Sequence, residues 1–275
     1  MDRPEIELVI PIQYETPKLE KTVKLLEQNT KNYKLTIVKA PDLNVSEARA
    51  SVMKHDSDLI CFLDDDSELI TPDWLDKMYD VLQVNHNAAV VFGNEWWDEE
   101  PCPKVTGQKI ISPRGYPIEP MKEVPYGPAA CMLIDKTKLK PEVQWDKYIG
   151  LRSGWLGGDM EEVDYCFKIN QLTCSTLVVA LNAVFHHTGG KGTFKNFWST
   201  DRSKSAHLMK HLIQRKYGTM HTNDNEFFKS LKYIKARDDN DLYVASGQKL
   251  KDAYYDLLKE HGMLNDNLVK SLIGD

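Results

Sequence analysis

The chain has no C-x-x-C pair, no internal repeat, no low-complexity tract and no apolar run approaching the ~20 residues of a membrane helix. Each absence removes a class. Paired-cysteine metal and redox sites go with the first, solenoids with the second, disordered scaffolds with the third and membrane-spanning helices with the fourth. The five cysteines are odd in number, widely spaced and mostly set in apolar runs, which argues against a disulfide framework and for a reducing compartment, the cytoplasm. Met1 leads into a strand-like run without the charged and apolar regions of a secretory signal, so export by such a signal is not expected. Positive charge is short as well. Thirty-five Lys and Arg stand against 41 Asp and Glu, a net −6, which excludes a polycation built to coat nucleic acid along its whole length. What remains is a 275-residue chain, 41% hydrophobic and 28% charged, large enough for one substantial domain or a domain with an appendage.

Short apolar runs alternate with helical periodicity through the first third. Ile6 to Ile12 reads as a buried strand, and Thr16-Pro17 caps a helix carrying Leu19, Val23 and Leu26 to about Asn29. Leu35 to Val38 is a second strand. Ser46 caps a short helix with Ala48, Val52 and Met53, and the strand Asp58 to Leu63 runs directly into Asp64-Asp65-Asp66. Thr71-Pro72 repeats the cap-plus-proline signal before Leu75, Met78 and Leu82, and Ala88 to Phe92 is a fourth strand. The pattern predicts an α/β fold with a mostly parallel open sheet, flanking helices and ligands at the carboxyl ends of the strands. From Asn94 to about Pro128, including Trp96 to Glu100, turn-forming and acidic residues predict loops with a hairpin. Ala129 to Ile134 and Leu177 to Phe185 are further strands, with a helix between them from Asp159. After the last strand the charge inverts. Residues 186–218 hold seven Lys or Arg against Asp201 alone, a net +6 that leaves −12 for the rest of the chain. Two amphipathic helices, one around Leu208 to Ile213 and one around Leu250 to Leu258, predict a helical C-terminal extension over 195–275.

Three clusters carry chemistry. Asp64-Asp65-Asp66 at a strand end concentrates negative charge that needs a cation, hydrogen-bond donors or plain solvent; Mg²⁺ or Mn²⁺ with substrate phosphates would satisfy it, and so would an exposed acidic turn. In Asp159-Met160-Glu161-Glu162-Val163-Asp164 the helical period puts Asp159 and Glu162 on the face of Val163 and Cys166, with Glu161, Asp164 and Lys168 on the other side. An inward carboxylate there is a candidate general base, and an acidic first turn favoured by the helix dipole is the plainer explanation. His186-His187-Thr188-Gly189-Gly190-Lys191 closes the last strand with two imidazoles and a basic, glycine-rich loop suited to phosphate, which does not match the P-loop pattern.

In this order and spacing the three clusters resemble the family-2 inverting glycosyltransferases with the GT-A fold, over roughly residues 6–193. Val9-Ile10-Pro11 with Tyr14 looks like the first strand and donor loop of that family, and Ala48-Arg49 falls at its donor-contacting arginine. Asp64-Asp65-Asp66, followed by Thr71-Pro72-Asp73-Trp74-Leu75, is similar to its Asp-x-Asp segment. Gly127 to Met132 resembles its acceptor-side strand, Glu161 to Asp164 its base-bearing segment, and His186 to Gly190 the end of its catalytic domain. Three departures stand out: the loop Gln13 to Thr16 is about one residue longer, Lys39 replaces an acid and leaves Asp42 as a shifted contact for the nucleobase, and Glu162 stands where the family has aspartate.

The resemblance implies a catalytic domain over 1–194, with a nucleotide-sugar half to 94 and an acceptor half from 95, and Mn²⁺ or Mg²⁺ with a nucleotide-sugar donor, a UDP-sugar first among them. Pro11, Tyr14, Glu15, Asp42, Arg49, Asp64, Asp65 and Lys191 would then contact the donor. Asp64, Asp66 and His186 or His187 would hold the metal, and Glu162, with Asp159 second, would be the base. A saccharide or lipid-linked saccharide is the expected acceptor. The basic stretch 186–218, interleaved with Phe194, Phe197 and Trp198, keeps open a hydroxymethylated DNA base as in some phage enzymes. A non-catalytic sugar-nucleotide or nucleic-acid binding module is the reading that needs no base, and a nucleotidyltransferase lacks its usual Gly- and Arg-rich loop here.

Overall fold

Ile6–Ile12 forms β1, buried at every position as a β-branched run inside a parallel sheet should be. The computed structural model of the protein describes residues 4–12, 14–40, 45–69, 71–97, 100–101, 121–124, 126–146 and 161–188. In it β1 lies between two parallel neighbours, β2 (Tyr33–Lys39) and β3 (Leu59–Leu63). The other strands are β4 (Ser67–Leu69), β5 (Ala88–Trp97), β6 (Glu100–Pro101), β7 (Met121–Glu123), β8 (Cys131–Asp135) and β9 (Thr176–His187). They join one sheet in the order β2-β1-β3-β8-β5-β9-β4, with β6 paired to β5 and β7 to β9. Along that path β1, β2, β3, β5 and β9 point one way, and only β8 and β4 oppose them. The expectation of an α/β fold with a mostly parallel sheet is met.

Strand alternation sends side chains to two cores. On one face Ile6, Leu8, Ile10, Cys61 and Leu63 pack with Leu19 and Leu26 of α1 (Pro17–Asn29) and with Trp74, Met78 and Leu82 of α3 (Trp74–Val84). On the other, Val9, Ile60 and Phe62 pack with Val52 of α2 (Val45–Val52), with Trp145, and with Tyr165, Cys166 and Ile169 of α4 (Glu161–Thr173). The sheet is therefore the middle of three layers. Gly93 lets β5 approach its neighbours, since a Cβ there would lie 2.8 Å from both Cys131 Sγ and Phe185 Cδ1.

The helix starts test the capping signals one by one. Thr16 caps α1 as expected, its hydroxyl accepting from the Leu19 amide at 3.2 Å with Pro17 in the first turn. Thr71 does not cap α3. Its hydroxyl is taken by the Val184 amide of β9 at 2.9 Å, and the position before Trp74 is held by Asp73 in a left-handed conformation, φ 55°. Ser46 falls inside α2 rather than before it. The expected hairpin is present, with Trp97 opposite Glu100 where β5 and β6 pair.

The chain divides into two compact units, residues 1–145 with 165–194, and residues 146–164 with 195–275. The first carries the whole sheet. Of the second, Asp146 and Glu161–Asp164 are the described residues, and the expected helices of 195–275 lie outside them. Among the described residues no helix is long and apolar enough to cross a membrane.

Candidate functional site

The three aspartates leave β3 in a tight turn at the carboxyl ends of β1, β2 and β3, where the Asp64 amide donates to Ala130 O and the Ser67 amide to Asp64 O, each at 3.2 Å. The turn separates the carboxylates. Asp65 points into the protein: Thr16 donates to its Oδ2 at 3.2 Å, and Thr22 of α1 fixes its backbone carbonyl at 2.9 Å. Burial, reinforced by the charges of Asp66 and Asp64, holds the Asp65 carboxyl above the usual range. Asp64 and Asp66 turn instead toward the end of β9.

The short strand β4, which the sequence pattern does not reveal, makes that meeting possible. It pairs antiparallel with β9 so that Ser67 lies opposite His187, placing the imidazole beside the turn. His187 Nε2 is 3.0 Å from Asp66 Oδ1 and 3.9 Å from Asp64 Oδ2, while Nδ1 is 2.9 Å from Oε1 of the buried Glu95. Thr188 ties the strand end down through its amide and its hydroxyl, both donating to Asp66 O. Burial alone would lower the pKa of His187; the hydrogen bonds to Asp66 and Glu95 and the charges of Asp64 and Asp66 reverse this and push it up to about 10. Burial likewise opposes the charge on Asp66, but His187 and then Lys18, 3.3 Å from Oδ2, hold that carboxyl below its ordinary value.

Arg49 supplies a further positive charge from α2. Its Nη2 lies 3.1 Å from Asp64 Oδ1 and the residue is only 2% exposed. An aromatic column holds the guanidinium: it sits 5.2 Å from the Trp145 ring centroid and 5.9 Å from that of Phe62, and Trp145 is stacked on Tyr165 at 4.1 Å with the rings 4° from parallel. Cation–π contacts of this kind gain strength when water is excluded. His187, Lys18 and Arg49 thus surround two carboxylates whose ligand atoms, together with the imidazole, all lie within 4.8 Å of one another. Two carboxylate oxygens and one imidazole nitrogen at that spacing are a donor set a divalent cation can use.

No family model matches the chain, and no curated protein matches its sequence. Solved structures do. GalNAc-T7 with UDP, GalNAc and Mn²⁺ is similar at a TM-score of 0.52 and 10% identity, over 98% of this chain and 56% of that one. The fold is of the GT-A type. TarS 1-349 of S. aureus in complex with UDP-GlcNAc is similar at a TM-score of 0.45 and 12% identity, over 98% of this chain and 86% of that one. A197 from STIV is similar at a TM-score of 0.43 and 15% identity, over 68% of this chain and 87% of that one. This chain spans little more than half the length of GalNAc-T7.

Within the GT-A sheet the expected site residues separate into three groups. Asp64, Asp66, His187 and Arg49 come together, and His187, not His186, is the imidazole that joins the aspartates. His186 lies one position back, in register with Glu68 and Trp96. Pro11 is buried in β1 opposite Val38, Tyr14 is 39% exposed, and Glu15 pairs with Lys39 at 2.5 Å on the surface. Asp42, Lys191 and Asp159 lie outside the described residues. The helical period placed Glu161 and Asp164 on the face away from the core; both are buried, at 7% and 0% exposure, and Glu162 is half-buried. The first turn of α4 is covered on more than one side, which a one-sided amphipathic pattern does not anticipate. Lys168, one turn along the helix from Asp164, donates to Gln144 O at 2.9 Å. Sequence reasoning missed Glu95, Lys18 and Thr16 as site residues; Thr16 carried only a capping signal, Lys18 carried none, and Glu95 was hidden in an acid-rich stretch.

Proposed function

We propose that this chain is a divalent-metal-dependent, inverting glycosyltransferase of the family-2 kind. It would act in the cytoplasm, moving a sugar from a nucleotide-sugar donor, a UDP-sugar first among them, to a hydroxyl of a saccharide or lipid-linked saccharide. The observation that carries the reading is the Asp64, Asp66 and His187 group at the carboxyl ends of the strands of a GT-A fold. GalNAc-T7, which has that fold, holds UDP, GalNAc and Mn²⁺. The donor set here fits the same kind of ion, because two carboxylates and an imidazole offer ligand atoms that all lie within 4.8 Å of one another. Asp64, Asp66 and His187 would hold Mn²⁺ or Mg²⁺, with Asp64-Asp65-Asp66 serving as the Asp-x-Asp segment.

Bound there, the metal supplies positive charge for the departing diphosphate. Arg49 holds Asp64 in place, and Asp65 fixes the turn through Thr16. Pro11, Tyr14, Glu15 and Asp42 are assigned to the nucleoside end of the donor and Lys191 to its phosphates. Glu162, from the acidic head of α4, takes the proton of the acceptor hydroxyl, with Asp159 second. The freed oxygen bonds to the anomeric carbon as the bond from that carbon to the diphosphate oxygen breaks, the electron pair leaves with the nucleoside diphosphate, and the configuration inverts. A base in that role contributes ~10²–10⁴-fold to the rate. Glu162→Gln is therefore expected to abolish transfer while donor affinity stays at the wild-type level; near-wild-type turnover would remove Glu162 from the mechanism. The net +6 of residues 186–218 favours one alternative acceptor, DNA carrying hydroxymethylcytosine. An acceptor screen decides: sugar entering such DNA, falling steeply with salt, selects it, and sugar entering saccharides alone dismisses it.

A further inference from the structure

We propose that Glu95 is a positioning residue for the metal: its carboxylate accepts the Nδ1 hydrogen of His187 and so presents Nε2, the nitrogen facing Asp64 and Asp66, as the ligand. The inference rests on the metal-dependent reading above. Its basis is geometric. Glu95 Oε1 is 2.9 Å from His187 Nδ1, Asp66 Oδ1 is 3.0 Å from Nε2, and Glu95 is 4% exposed on β5. A carboxylate buried in a sheet is unfavourable unless it has partners, so its presence there calls for a role.

The sheet explains how Glu95 and His187 come to share a face. β5 and β9 run parallel with Gly93 opposite Ala180, then slip so that Asn94 lies opposite Val184 and Glu95 opposite Phe185. The slip adds three residues to β9, an odd number. Without it Glu95 would lie opposite Asn182 and share its face with His186; with it, Glu95 shares the face of Phe185 and His187. The irregularity thus selects which of two adjacent histidines is oriented by a buried carboxylate. An imidazole has two nitrogens, and a partner on one decides which is free to ligate.

The test is Mn²⁺ binding to the full chain, read by calorimetry with circular dichroism as the folding control. Glu95→Ala is expected to weaken Mn²⁺ by ~10–100-fold, the range typical of partners behind a ligating histidine. In a His187→Ala background the same change should have no further effect. Glu95→Gln, which keeps an acceptor oxygen and the side-chain volume, should lose less, and that loss should also vanish without His187. Unchanged affinity in Glu95→Ala, or a loss of equal size with and without His187, overturns the positioning role and leaves the metal site standing. A wild-type chain that binds neither Mn²⁺ nor Mg²⁺ overturns the metal-dependent reading and this inference with it.

Discussion

Glu7 gives the sharpest prediction about stability. It sits in β1 at 1% exposure, and its Oε1 accepts from Thr36 on β2 at 2.6 Å and lies 2.8 Å from His55 Nδ1, in the turn after α2. Lys34 is 3.8 Å from the same oxygen. Burial would raise its pKa; hydrogen bonds from Thr36, His55 and Ser57, with the charge of His55, overcome this and bring it from 4.5 to about 2. A carboxyl depressed in the folded state contributes stability that is fully present above its unfolded pKa and is lost as pH falls through the folded one. The window is therefore from 4.5 down to about 2. At about 1.4 kcal/mol per pKa unit, the contribution at neutral pH is about 3 kcal/mol. Urea unfolding of wild type and Glu7→Gln across pH 2 to 7 measures it. The stability difference should be largest at neutral pH and shrink to less than about 1 kcal/mol near pH 2. A difference that stays constant with pH would refute the electrostatic account and leave only packing. The clamp matters beyond β1, because the turn it holds follows the helix that carries Arg49.

Two further predictions concern the cations around the aspartates. Lys18 reaches Asp66 at 3.3 Å from a partly exposed position, so Lys18→Ala should remove a competitor and tighten Mn²⁺ by up to about fivefold in calorimetry; a weaker affinity would contradict this. Arg49→Leu breaks a mostly buried ion pair and a stack on Trp145, and should lower the unfolding free energy by about 2–3 kcal/mol in urea titrations. Arg49→Lys should restore less than half of that, since an ammonium lacks the planar face that lies against Trp145; full rescue by lysine would show that the aromatic column is incidental.

What the sequence made legible was local. Thr16-Pro17, the β-branched runs and the aspartates at the end of β3 each announce themselves within a few residues, and the three-layer fold follows from their alternation. What stayed hidden depends on partners distant in the chain. β4 is three residues long and exists because β9 pairs with it. Thr71 carries a capping signal that the Val184 amide claims first. The choice of His187 over His186 hangs on a register slip between β5 and β9, and no spacing within His186-His187 encodes it. Glu95 looked like one acid among several in a loop-like stretch, because β5 reads as ending at Phe92 when its partners are unknown.

The central claim is tested most directly by incubating the chain with a panel of nucleotide-sugars and measuring nucleoside diphosphate release with Mn²⁺, with EDTA, and in Asp66→Asn. The account predicts release from at least one donor with Mn²⁺, none with EDTA and a loss of at least ~100-fold in Asp66→Asn, the scale of removing a charge-stabilising group from a transition state. Release that persists in EDTA, or that Asp66→Asn leaves unchanged, contradicts it, as does a chain that binds the metal and turns over no donor.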